Sequence, residues 1–191
     1  MAKQFSAIEP HVAAFIAAQH IFFTATSAGT GRINVSPRPA LAFRVLGPNC
    51  VAYLDETGSG NETAAHLRAD GRMTIMFCGF ENVPNILRLY GRGTSMWRGT
   101  PDYAALLDSA FNNQAPPGAR QIVRRDVDLV QTSCGYGVPL FDYKEERPTL
   151  HHWAANKGED GVAAYWREKN THSLDGFPTG VEPAPESQAA E

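Results

Sequence analysis

The sequence has no hydrophobic run long enough to cross a membrane and no paired arrangement of cysteines. Its apolar segment at residues 13–18 is short and lies between polar residues, so we expect neither a signal peptide nor a membrane span. The three cysteines, Cys50, Cys78 and Cys134, are odd in number and widely spaced. This argues against a disulfide framework and favours a reducing, cytoplasmic setting.

The chain also lacks a strong charge of either sign. It has 17 basic and 20 acidic residues in 191, for a formal net charge of −3. Three of the acids lie in residues 181–191, which contain no lysine or arginine, so the remainder is balanced. A neutral body lacks the basic surface that binds nucleic acid by neutralising phosphates. We predict one domain over residues 1–180 and a disordered acidic tail over 181–191.

Two common cofactor signatures are missing. The pattern Gly-x-Gly-x-x-Gly is absent and strand–helix–strand units are scarce, which disfavours a Rossmann domain. No cysteine or histidine pair has the spacing of a zinc site, and the adjacent His151 and His152 would point about 100° apart on a helix. We therefore predict no metal site.

Short apolar segments separated by turn residues make up most of the chain. We predict a helix near the start, helices at residues 101–111 and after 148, and about six strands between them. Most connections are too short for parallel crossovers, so the sequence predicts a mainly β fold, an antiparallel barrel with peripheral helices. The segments predicted as strands are 21–26, 33–36, 41–46, 50–54, 73–80, 86–90 and 121–132.

One stretch combines a strand, a glycine-rich turn and a helix. The apolar run 50–54 leads into Gly58-Ser59-Gly60-Asn61, and a helical pattern follows over residues 62–68. A helix N-terminus offers unpaired N–H groups and the positive end of its dipole, and glycines let a ligand approach the backbone. This pattern indicates a phosphate cradle; the alternative is a tight turn with Ser59 or Asn61 as N-cap.

Four segments, taken together in their order, resemble the pyridoxamine 5′-phosphate oxidase-like family of flavin-binding split β-barrels. They are residues 34–38, 51–63, 84–93 and 131–139, and the resemblance extends over about residues 8–180. It implies an FMN-dependent oxidoreductase with a small-molecule substrate. It also implies a homodimer that binds FMN at the subunit interface.

The resemblance further implies a set of cofactor-binding residues and one departure from the family. In the oxidase proper an Arg-Lys pair follows the serine of the phosphate turn, whereas this chain has Gly60-Asn61. A cation would then come from Arg38, Arg72 or Arg88. The implied cofactor-binding residues are Ser36, Arg38, Ser59, Gly60, Asn61, Thr63, Arg88, Ser133 and Tyr136.

Other functions stay open at this point. A non-catalytic flavin- or haem-binding split barrel is one, and haem would need an axial ligand from His66, His151 or His152. A relative that uses the deazaflavin F420 is another, although F420 calls for a more basic groove. No acid or base is assigned. The Arg124-Arg125 pair, beside Asp126, is interpreted as part of a solvated strand surface.

Overall fold

The structure, a computed structural model, describes residues 2–81 and 83–181. Apart from Val181, the predicted disordered tail lies outside the described residues. The elements of the described part are β1 (Lys3–Phe5), α1 (Pro10–Ala17), β2 (Ile21–Thr26), β3 (Asn34–Pro39), a 3-10 turn (Ala40–Ala42), β4 (Phe43–Gly47), β5 (Cys50–Glu56), α2 (Glu62–Ala69), β6 (Arg72–Cys78), β7 (Asn85–Trp97), α3 (Pro101–Phe111), β8 (Ala119–Cys134) and α4 (Thr149–Lys169).

The strands form one antiparallel sheet that curls into a split barrel. Its order is β3-β2-β6-β7-β8-β5-β4, and β1 pairs with β8. The two ends of this path approach each other, because the ring of Phe22 on β2 lies 5.0 Å from that of Phe43 on β4. It also lies 5.3 Å from the ring of Tyr53 on β5. This confirms the predicted mainly β split-barrel fold.

Alternation along the strands explains how the barrel encloses its core. In β2, Phe22, Thr24 and Thr26 are buried, while the residues between them are partly exposed. Aromatic rings from β2, β4, β5 and β6 then fill the interior in edge-to-face contact. Burying such rings stabilises the fold by about 1.5–3 kcal/mol each.

The helices lie at the periphery, close to where the sequence predicts them. In α1, Val12 and Ile16 are buried. Thr100 caps α3 by accepting a hydrogen bond from the Tyr103 N–H at 3.3 Å. Helix α4 bends at Gly158, whose φ of 70° interrupts the helical backbone. No helix in residues 2–81 and 83–181 is both long enough and apolar enough to cross a membrane.

A β-bulge between β7 and β8 depends on Gly91. The register shifts there by one residue, and Gly91 has a φ of 148°. A Cβ at this position would overlap the backbone carbonyl of Asp126. We expect Gly91→Ala to lower the free energy of unfolding by about 1–3 kcal/mol, measured by urea denaturation. Gly47→Ala is the control, since open space surrounds it; an equal loss in both variants would contradict the argument.

Candidate functional site

The turn between β5 and α2, residues 57–61, is held by an arginine from the neighbouring strand. Arg120 lies at the start of β8, which pairs with β5. Its Nη1 donates to the carbonyl oxygen of Gly60 at 2.9 Å, and its Nε donates to Asp55 Oδ2 at 2.9 Å. The side chain is 3% exposed. A buried guanidinium therefore lies directly beside the glycine-rich turn.

Asp55 joins this arginine to a second one. Its carboxylate is fully buried, and its other oxygen accepts from Nη1 of Arg38 on β3. The guanidinium of Arg38 also lies 5.6 Å from the centre of the Tyr53 ring. Its Nε is buried and has no hydrogen-bond partner among the described residues. Two guanidinium groups thus share the carboxylate of Asp55. Glu56, the other carboxyl that acts on Arg38, is itself paired with His151.

The C-terminal part of the chain closes over the same turn. We call residues 166–180 the C-terminal strap. Trp166 Nε1 donates to Thr57 Oγ1 at 2.7 Å. Asn170 Nδ2 donates to the Gly58 carbonyl at 3.1 Å, and Asn170 Oδ1 accepts from Arg120 Nη1 at 2.7 Å. The turn is therefore held from β8 on one side and from the strap on the other.

Several predicted site residues meet around this turn. Asn61 is buried, and its Oδ1 accepts from Gln121 Nε2 at 3.0 Å. Thr63 Oγ1 accepts from Asn34 Nδ2 at 3.3 Å, and the hydroxyl of Ser36 donates to Asn34 Oδ1 at 3.1 Å. Strand β3 and the first turn of α2 are therefore linked through polar side chains.

The other predicted residues lie apart from this network. Ser59 is exposed at the tip of the turn. Arg88 Nη1 donates to Ser133 Oγ at 3.3 Å, a pair on the outer face of β7 and β8. Tyr136 is 83% exposed on the loop after β8. Arg72, the remaining candidate cation, pairs with Asp70. Apart from Ser59, which belongs to the turn, these residues form no hydrogen bond with it among the described residues.

A large cavity opens beside Arg38 and the first residues of the turn. Its volume is about 1650 Å³, and Arg38, Glu56 and Gly58 lie on its wall together with residues of α1 and of the segment 141–151. His151 Nε2 lies 2.9 Å from Glu56 Oε2. Burial raises the pKa of Glu56, and the nearby His151 opposes that rise. The cavity wall thus carries a carboxyl group and an imidazole in contact, directly before the turn.

Arg120 keeps its charge at neutral pH although it is buried. Burial lowers the pKa of Arg120 to about 10 and also lowers the pKa of Arg38. Since a pKa near 10 still leaves a guanidinium protonated at pH 7, Arg120 presents a full positive charge to the turn. The site is therefore suited to an anionic group.

Sequence reasoning missed Arg120 and Asn170. Both are distant from the turn in sequence, and only the pairing of β5 with β8 and the path of the strap bring them together. Arg120 is adjacent to Gln121, the residue opposite Asp55 on β8, so knowing the register of β5 and β8 would have pointed to it. No local motif marks Asn170.

The three candidate haem ligands, His66, His151 and His152, lie in different surroundings. His66 is buried, and its Nδ1 lies 3.0 Å from Thr26 Oγ1. It packs against the ring of Phe177 rather than on the cavity wall. His151 faces Glu56, and His152 is exposed. No two of them face each other across the cavity.

The fold and the polar turn define a class, the antiparallel split barrels with a glycine-rich turn after a buried strand. The family model for pyridoxamine 5′-phosphate oxidase matches residues 8–134. A pyridoxamine 5′-phosphate oxidase family protein of Aspergillus flavus, ustO, is 40% identical over 178 residues, covering 84% of this chain and 70% of the relative. The chain belongs to the pyridoxamine 5′-phosphate oxidase family.

Solved structures show the same fold at low sequence identity. A histidine-to-alanine variant of HupZ from Group A Streptococcus has a TM-score of 0.53 at 18% identity, covering 66% of this chain and 99% of that one. A pyridoxamine 5′-phosphate oxidase-like protein of Lactobacillus delbrueckii has a TM-score of 0.51 at 14% identity, covering 66% and 94%. At these identities the likeness concerns the fold alone.

Proposed function

We propose that this protein is an FMN-dependent oxidoreductase acting on a small molecule. The observation that carries the proposal is that buried Arg120 and half-buried Arg38 share the carboxylate of Asp55 beside the glycine-rich turn. Two guanidinium groups on one carboxylate leave a charge that an anionic group would balance. Membership of the family makes a flavin phosphate the first candidate.

The residues present fit such a phosphate. The Nε of Arg38 is a buried donor without a partner among the described residues. A Cβ built on Gly58 would lie 3.9 Å from Arg120 Nη2, so that guanidinium reaches the turn. The Glu62 carboxylate lies beside Gly60 and accepts the Leu174 N–H at 3.0 Å, so its charge opposes that of the arginines at this end of the turn. In this proposal Arg38, Arg120 and the turn backbone take the place of the missing Arg-Lys pair.

The cavity beside the turn has room for a ring system and a substrate, since its volume exceeds that of ordinary ligand pockets. When bound, the flavin would supply the two-electron chemistry. We assign substrate enclosure to the apolar wall and proton exchange to Glu56 and His151, whose Oε2 and Nε2 atoms lie 2.9 Å apart. Arg38 would orient the cofactor by its charge.

We further propose a cytoplasmic homodimer with the cofactor at its interface. The edge strand β3 and the residues beside it expose apolar side chains, Ile33, Val35 and Leu41. An apolar edge of this kind is typical of a surface that pairs with a second copy. Arg88, Ser133 and Tyr136 would then approach the flavin of the partner. The free thiols of Cys50, Cys78 and Cys134 are in keeping with a reducing compartment.

Cofactor titration tests the proposal. We expect the purified protein to show the two visible absorption bands of a flavin, or to bind added FMN with quenching of its fluorescence, at one FMN per chain. Size-exclusion chromatography with light scattering should give a dimer. A Soret band after haem addition, F420 bound in place of FMN, or a protein that binds none of the three would overturn the FMN assignment. Binding without turnover of any reductant would overturn the oxidoreductase assignment alone.

A further inference from the structure

A third arginine, Arg125 on β8, is buried inside the barrel, although its sequence suggests a solvated surface. The prediction of a solvated Arg124-Arg125 pair is therefore wrong for Arg125. Arg124 does lie on the outer face, 2.9 Å from Asp126, whereas Arg125 is only 1% exposed. Successive residues of a strand point to opposite faces, so the chain places these two like side chains in opposite surroundings.

The guanidinium of Arg125 has no acceptor. Its Nε, Nη1 and Nη2 are all buried without a hydrogen-bond partner within residues 2–81 and 83–181. Asp128, which is exposed, raises the pKa of Arg125 against the effect of burial, but the two side chains form no salt bridge. Burying a charge with neither a partner nor a hydrogen bond costs several kcal/mol, so such a group in a folded protein requires a counterpart.

Other unpartnered polar atoms flank Arg125 in the barrel. Arg125 lies opposite Val51 on β5 and Gly93 on β7, while the next inward position, Val123, lies between Tyr53 and Ser95. Tyr53 and Ser95 are therefore diagonal neighbours of Arg125, about 7–8 Å away and within reach of a long side chain. Ser95 Oγ is buried without a partner in the described part of the chain. The Tyr53 hydroxyl is buried beside Thr24 and makes no hydrogen bond of normal geometry there.

We propose that the barrel interior binds a small inorganic anion of the chloride class between Arg125 and these two hydroxyl groups. Water could accept hydrogen bonds here but would leave the charge in place, whereas an anion also neutralises it. A monatomic anion is favoured because the surrounding side chains, including Val51, Val123 and Met73, belong to the packed core. Tyr53 also lies against Arg38, so this site adjoins the network around the turn. The inference nevertheless does not depend on the proposed function.

The test follows the unfolding midpoint as chloride replaces gluconate at constant ionic strength. Gluconate serves as the reference because it is too large for a site among packed side chains. In wild type, each tenfold rise in chloride above its dissociation constant should raise Tm by about 3–5 °C. Arg125→Met should abolish this dependence, and Arg124→Met, which removes the same charge one residue away, should retain it.

Crystals grown in bromide supply a second readout that needs no variant. We expect an anomalous peak at the Arg125 guanidinium. The same chloride dependence in wild type and Arg125→Met would overturn the proposal. So would bromide peaks confined to the surface, or density for ordered water alone at Arg125. If Arg125→Met does not fold, the bromide experiment on the wild-type protein decides.

Discussion

Asp55→Asn is expected to lower the free energy of unfolding by about 3–5 kcal/mol. Asp55 is fully buried and is the one described carboxylate that contacts both Arg38 and Arg120. Asparagine keeps the size of the side chain but removes its charge, so two buried guanidinium groups would face each other without compensation. Urea denaturation followed by far-UV circular dichroism measures the change.

Asp126→Asn is the matched control for this variant. Asp126 also contacts an arginine, Arg124, at 2.9 Å, but its side chain is 68% exposed. Solvent screening holds such a surface pair to about 0–1 kcal/mol. If Asp55→Asn and Asp126→Asn lower the free energy of unfolding equally, the buried network does not stabilise the fold more than the surface pair does.

Arg38→Gln is expected to weaken FMN binding about 10- to 100-fold, because a hydrogen bond to a charged group contributes about 1.5–3 kcal/mol. Glutamine removes the charge and the buried Nε donor. Asp55 keeps Arg120 and also Gln121, whose Nε2 donates to Asp55 Oδ2, so we expect the fold to persist. Fluorescence titration of FMN gives the affinity, and circular dichroism with thermal melting verifies the fold.

Arg44→Gln is the control for a general loss of positive charge at the cavity. Arg44 lies on the same cavity wall, but its Nη1 donates to the carbonyls of Leu41 and Phe43, each at 2.8 Å. Its replacement should change the affinity by about twofold or less. Equal weakening in both variants would reduce the role of Arg38 to long-range attraction. If Arg38→Gln binds FMN with unchanged affinity, Arg38 does not contact the cofactor.

The fold could be predicted from the sequence because its signals are local. Alternating apolar residues and glycine-rich turns mark β2, β3 and β5, and the short connections between them permit only antiparallel pairing. Strand β1 was missed because three residues, two of them polar, carry no periodicity. Strand β7 is longer than the predicted segment because the bulge at Gly91 lets pairing continue.

The polar chemistry was harder to predict than the fold. The sequence predicts a turn at residues 58–61 followed by a helix, and the structure has both. For the cation of the proposed phosphate site, however, the sequence suggested Arg38, Arg72 or Arg88 and not Arg120. Arg120 comes from β8, which pairs with β5 although the two are more than 60 residues apart, and the sequence of one strand does not show which distant strand it pairs with. Arg125 was interpreted as a surface residue because it stands between two charged residues, Arg124 and Asp126. Those neighbours do not show which face of the strand Arg125 occupies.

The strap ties the turn to a part of the chain that is distant in sequence. The bonds from Trp166 to Thr57 and from Asn170 to Gly58 join residues 109 and 112 positions apart. The barrel has a link of similar reach, since Lys3 on β1 lies opposite Thr132 on β8. Closing loops of this length costs entropy that the contacts must offset. Because the strap belongs to none of the eight strands, its release would uncover the turn and leave the sheet paired.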